Sequence, residues 1–131
     1  QPFIPRSAGV EAVEGLFKLF QRFHCEPLFC GVKVHRNDNY MISFAGEGYS
    51  IGGAIQVRGR DLNKVNKFAR AVCEYTMECG GKILLSKDEM LFRDIFQKMY
   101  PEYKKILKIK EKLDPENIFS SDATKRLLID S

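Results

Sequence analysis

The sequence predicts an α+β fold, an antiparallel sheet covered by helices and followed by a mostly helical C-terminal segment. Three observations predict it. Apolar residues recur at helical spacing over residues 8–24 and again after Asp61. Between those helices lie β-prone runs with period-two alternation, separated by turn signals. Beyond Gly80-Gly81, one short apolar run is followed only by helical patterns that break at prolines.

Ser7 is the expected N-cap of the first helix, and Val10, Val13, Leu16, Phe17, Phe20 and Phe23 form its apolar stripe. The phenylalanines read as core. In residues 28–36, Phe29, Gly31, Lys33 and His35 alternate with Leu28, Cys30, Val32 and Val34. One strand face therefore carries Lys33 and His35, and the other a continuous apolar row. Asn37-Asp38-Asn39 signals a turn, residues 40–44 a second strand, and residues 49–58 a third. Gly52-Gly53 inside that strand marks either a bulge or the close approach of a ligand or another chain segment. Asp61 caps the second helix, which turns Leu62, Val65, Phe68, Ala69 and Val72 to one face and ends at Gly80-Gly81.

Residues 83–85 read as a short buried strand. Ser86 with Glu89 has the spacing of a capping box for a helix carrying Met90, Leu91, Ile95, Phe96 and Met99. Tyr100-Pro101 breaks that helix, and Pro101 opens another through about residue 112. Asp114-Pro115 stops it, and Ser120 or Ser121 caps a last short helix. Residues 1–81 and 82–131 thus read as two different units.

Composition narrows the function. The chain has 131 residues and a net charge of +4, too small and too evenly spread for a nucleic-acid binder. The one basic cluster, Lys98 to Lys112, holds six lysines against two glutamates. Apolar residues are interleaved there, so it reads as a solvated helix face, with an anionic partner as the alternative. Cys25, Cys30, Cys73 and Cys79 contain no CxxC pair, and His24 and His35 are the only histidines, so no metal site is expected. Cys25 and Cys73 read as small core residues. No apolar run approaches the ~20 residues needed to span a bilayer. The opening Gln1 to Arg6 lacks the pattern of a signal peptide and, without Met, reads as the middle of a longer chain. Reduced thiols and a cytoplasmic setting are the expectation.

No triad, P-loop, GxGxxG or acidic pair stands out. Two lysines carry the remaining chemical interest. Lys33 projects from the strand face opposite the apolar row, and Lys87 sits where a buried strand turns into a helix. Each is either a surface lysine or a pocket cation able to hold an anion or move a proton.

The C-terminal stretch adds a resemblance. Tyr100-Pro101-Glu102-Tyr103, Ile109-Lys110, Lys112-Leu113-Asp114-Pro115-Glu116-Asn117-Ile118-Phe119, Ser121-Asp122 and Arg126-Leu127 together resemble the terminus of FAD-linked oxidases of the vanillyl-alcohol-oxidase type. Gly80-Gly81-Lys82, Leu84-Leu85-Ser86-Lys87-Asp88 and Gly31-Val32-Lys33 fit the same family. The likeness runs over nearly all of the chain. The Asp-Pro ending is shared widely in the family, and its combination with Ser86-Lys87-Asp88 is more specific.

The resemblance implies that residues 1–81 are the second half of a substrate-binding cap domain. Residues 82–131 are then the segment that returns to the FAD-binding domain. It implies oxidation of an alcohol carbon by hydride transfer to FAD, with the cofactor held mainly by an N-terminal domain that is the partner of this segment. Residue by residue, Lys87 matches a lysine that approaches flavin and substrate. Lys33 matches a pocket lysine of the cap, and Gln1 a pocket glutamine at the start of a cap strand. Tyr49, Ser50 and Gly52 fall on a substrate-facing strand. The likeness is strongest to members acting on a lipid-phosphate-linked ribose. Where those carry Asn, Cys and an acidic residue, this chain has Ser50, Gly52 and Ala54. The implied substrate is therefore coarser, a sugar or alcohol that is lipid-linked in some members, which would bring the protein to a membrane surface. A piece of such an enzyme should expose apolar surface, open to pairing as a dimer. Aldonolactone or hydroxy-acid oxidation is the second reading, and a stand-alone α+β module for an anionic partner the third.

Overall fold

The computed structural model describes residues 1–87 and 89–128, and it shows the expected α+β architecture. Asp88, the last residue of the Ser86-Lys87-Asp88 motif, lies outside the described residues, as do residues 129–131. Four strands, β1 (Pro2–Pro5), β2 (Cys30–His35), β3 (Gly48–Gly53) and β4 (Lys82–Ile83), form one antiparallel sheet in the order β2-β3-β1-β4. Among the described residues, five helices accompany it: α1 (Gly9–Arg22), α2 (Leu62–Glu78), α3 (Arg93–Met99), α4 (Tyr103–Leu113) and α5 (Asp122–Leu127).

The sheet differs from the sequence expectation in which segments build it. Residues 40–44 form a turn rather than a strand. Asp38 explains this, because its carboxylate accepts from the Tyr40 N–H at 3.0 Å and from the Ser43 hydroxyl at 2.6 Å. That local turn satisfies groups a ladder would otherwise need. The missing strand is β1, flanked by Pro2 and Pro5. Prolines demote a run as a central strand, yet here both stand at its ends, and Phe3 and Ile4 between them pair with Ser50 and Tyr49. The third strand stops at Gly53 instead of running to residue 58.

Register settles the two glycines. Gly53, Gly52 and Ile51 pair in unbroken order with Cys30, Gly31 and Val32, so there is no bulge. Close approach explains Gly53, where a Cβ would lie 2.7 Å from Pro27, whereas a Cβ on Gly52 would make an ordinary contact with the Gln1 side chain at 3.4 Å.

Helices α1 and α2 cover one face of the sheet. Ala12, Leu16 and Phe20 of α1 and Phe68 and Val72 of α2 close over Ile4, Ile51 and Cys25. Val10 and Phe17, expected on the buried stripe, are exposed. Ser7 lies inside a short turn of 3-10 helix, Arg6–Ala8, and Ala8 holds the N-cap position of α1. Asp61 does cap α2, accepting from the Asn63 N–H at 2.9 Å. Past Gly80, which has φ +73°, the chain doubles back into β4.

A second apolar cluster gathers Cys73, Ile83, Leu91, Ile95, Phe96, Met99, Tyr100 and Leu127. Helix α2 contributes to both clusters, and the Tyr100 hydroxyl ties the end of α3 to β4 by donating to the Ile83 carbonyl at 2.6 Å. The capping box of Ser86 and Glu89 does not form. Residues Leu85–Lys87 make a 3-10 turn and α3 begins only at Arg93. Ser121 caps α5, accepting from the Thr124 N–H at 3.1 Å.

Candidate functional site

The sheet has two unlike faces, and alternation decides which residue meets which. Gln1, Phe3, Lys33, His35, Ser50 and Gly52 share the face away from α1 and α2. Lys33 stands directly across from Ser50 and is exposed. Ser50 is fully buried at 0% exposure. Its hydroxyl meets the Gln1 Nε2 at 2.8 Å and the His35 Nε2 at 2.8 Å. The imidazole is held edge-on by Phe3 and Phe44, with ring centroids 6.0 Å and 5.2 Å away. Gly52 lies beside the Gln1 side chain on the same face.

At the end of the sheet where β1 begins and β3 ends, an open pocket of about 580 Å³ lies against α2. Ile51, Ile83, Phe68 and Val72 give it an apolar wall, and Gln1, Ser86, Lys87 and Glu89 also line it. A mostly apolar concavity with few convergent polar groups is the usual form of a small-molecule site. Lys87 reaches it from the 3-10 turn after β4, as an exposed cation.

The structure thus joins five of the six residues picked from sequence. Gln1 bonds to Ser50 and lies beside Gly52, Lys33 flanks them, and Gln1 and Lys87 line one pocket. Tyr49 stands apart. It pairs with Ile4 and Val34 on the opposite face, and its ring receives the Arg6 guanidinium at 5.8 Å. His35 joins the group without having been picked. The signal was present, because alternation already placed it on the face of Lys33.

The basic cluster maps mainly to α4. Lys104, Lys108 and Lys112 are exposed, while Lys105 pairs with Glu102 and Lys110 with Asp114. Asp114 also accepts from the N–H groups of Ile118 and Phe119 at 2.8 and 3.1 Å. The Asp-Pro ending is therefore a structural cap, one that closes the turn after α4. No helix of the described residues is long and apolar enough to cross a membrane.

No known family's sequence profile matches the chain. A curated protein, the decaprenylphosphoryl-beta-D-ribose oxidase of Mycolicibacterium smegmatis (strain ATCC 700084 / mc(2)155), is 29% identical over 63 residues. That match covers 48% of this chain and 14% of the oxidase. The similarity supports a relation to a flavin oxidase and is of the size expected when a short piece is set against a much longer enzyme.

Proposed function

We propose that this chain is the C-terminal part of an FAD-dependent oxidoreductase that oxidises an alcohol carbon of a sugar- or polyol-like substrate. The observation that carries the reading is the local match to an oxidase together with Lys87 and Gln1 lining one pocket. In the proposed division, residues 1–81 complete a cap domain and residues 82–131 return to the FAD-binding domain. The two apolar clusters, one on each side of α2, are consistent with it.

The residues present suit a supporting role toward FAD. The pocket is walled by apolar side chains rather than by the row of backbone N–H groups that cradles a pyrophosphate. The cofactor would be held mainly by the N-terminal domain, and when bound it supplies the hydride acceptor. Lys87 would set a positive charge at the pocket, where it offsets negative charge on the acceptor or on a bound anion. Gln1 would offer its amide to substrate hydroxyls, with Ser50 and Gly52 behind it and Lys33 alongside. Tyr49, on the far face, would act only through the packing of the strand. A lipid-linked substrate would place the enzyme at a membrane surface.

The test is the visible absorbance of the protein made from its native reading frame, before and after denaturation. A flavin spectrum supports the oxidase reading, and its release on denaturation shows a non-covalent cofactor. A colourless protein that also fails to take up added FAD overturns it. Bleaching by aldonolactones or hydroxy acids, and not by sugars or polyols, would select the second oxidase reading. The exposed lysines of α4 favour one other account, a binding module for an anionic partner, which requires no flavin.

A further inference from the structure

We propose that His35 and Ser50 are positioning residues for Gln1. In this chain the Gln1 Nε2–H donates to the Ser50 Oγ, and the Ser50 hydroxyl donates to the His35 Nε2. The relay sets the glutamine amide on the sheet face away from α1 and α2, beside the exposed Lys33, before any ligand arrives. What binds that face rests on the oxidase reading; the direction of the hydrogen bonds does not.

Burial of Ser50 fixes where each proton of the relay must go. Ser50 has no exposed surface, and its hydroxyl has one proton to give and two lone pairs. Its side-chain contacts are the Gln1 Nε2 and the His35 Nε2, each at 2.8 Å. An amide nitrogen only donates, so the one acceptor for the serine proton is the lone pair of His35 Nε2. That requires the Nδ1–H tautomer of the imidazole. The other tautomer would aim two donors at one oxygen and leave the serine proton buried without an acceptor, the costly case for a hydrogen-bonding group.

The surroundings hold each member in place. Phe3 and Phe44 fix the plane of the imidazole from two sides. Lys33 and Phe3 pair with Ser50 on its two flanks, so β3 is held on both edges at this point. Two residues of β2 and β3 thus determine where one amide stands, and a ligand hydroxyl reaching that face of the sheet meets a pre-oriented partner. Preorganisation of this kind removes ordering cost from binding.

Long-range nitrogen–proton correlation spectra of the histidine rings test this directly. The His24→Asn variant assigns the two rings. The expected result in the otherwise unaltered chain is an Nδ1–H ring at His35 with Nε2 as acceptor. An Nε2–H ring overturns the proposal, because the chain would then run toward the glutamine carbonyl. In Ser50→Ala, the Nδ1–H signature should be lost and the Gln1 side-chain amide protons should shift and exchange faster. A serine that merely fills space would leave the tautomer unchanged, and that result also overturns the proposal. If Ser50→Ala fails to fold, the unaltered chain still decides. No flavin takes part, so failure here and failure of the oxidase reading are separate outcomes.

Discussion

At the residue scale, Asp114 and Lys87 illustrate two kinds of charge. The Lys110 ammonium holds the Asp114 carboxyl below the usual carboxylate range, helped by the N–H groups of Ile118 and Phe119 and opposed by desolvation. The sign follows from linkage. A depressed folded-state pKa contributes stability that is present above the unfolded value of about 3.9 and is lost as pH falls through the folded value. Thermal melts between pH 7 and pH 2 should show this acid limb, and Asp114→Asn should melt lower at neutral pH with a shallower acid limb. Equal slopes in both proteins would remove Asp114 as a source of the pH dependence. Arg70 likewise holds Asp94 low through a forked pair at 3.2 and 3.3 Å, but both side chains are well exposed and the pair is screened. Lys87, by contrast, has little structural work to do. Lys87→Met should leave the melting temperature unchanged and slow flavin reduction in the flavin-bearing protein by roughly 100-fold, the size of losing one preorganised charge or donor. Unaltered reduction kinetics would assign Lys87 to the surface.

At the element scale, the turn from α2 into β4 and the outer edge of β2 are the informative places. A Cβ at Gly81 would run into the Phe3 carbonyl oxygen and into Thr76. Neither is a flexible side-chain end, so Gly81→Ala should lose on the order of 2 kcal/mol or more in urea denaturation. A loss within error would show that β1 and α2 can part at little cost. Strand β2 has no neighbour on its outer side in the sheet order. Its apolar row remains uncovered, with Leu28, Val32 and Val34 at 77%, 60% and 69% exposure. Such an edge is a template for another strand. Light scattering should show mass rising with concentration for this chain, and Val32→Lys should suppress that rise. A monomer at all concentrations would show that the edge does not self-pair.

At the scale of the whole molecule, the apolar surface is distributed in a pattern. The β2 row, Val10 on α1 and Phe119 after α4 are all exposed, while two apolar clusters are packed inside. This is the distribution expected of a piece that completes its burial against a further domain. A hydrophobic dye should therefore bind strongly to this chain and weakly to the protein made from the native reading frame. Equal, weak binding by both would contradict the proposed division of the enzyme.

The α+β class, the two long helices, the alternation of β2 and the caps at Asp61 and Ser121 were legible in the sequence by itself, because each follows from spacing along one segment. Even His35 and Lys33 were placed on a common face, since side chains two apart in a strand must share one. What only the tertiary structure decided depends on contacts between distant segments. Residues 2–5 became a central strand because β3 and β4 flank them. Residues 40–44 did not, because Asp38 closes a turn there. Ser50 met Gln1, 49 positions away, and His35, 15 positions away, through sheet register. Local periodicity records which face a side chain takes, whereas its partner across the sheet is set by register and packing, which no single segment contains.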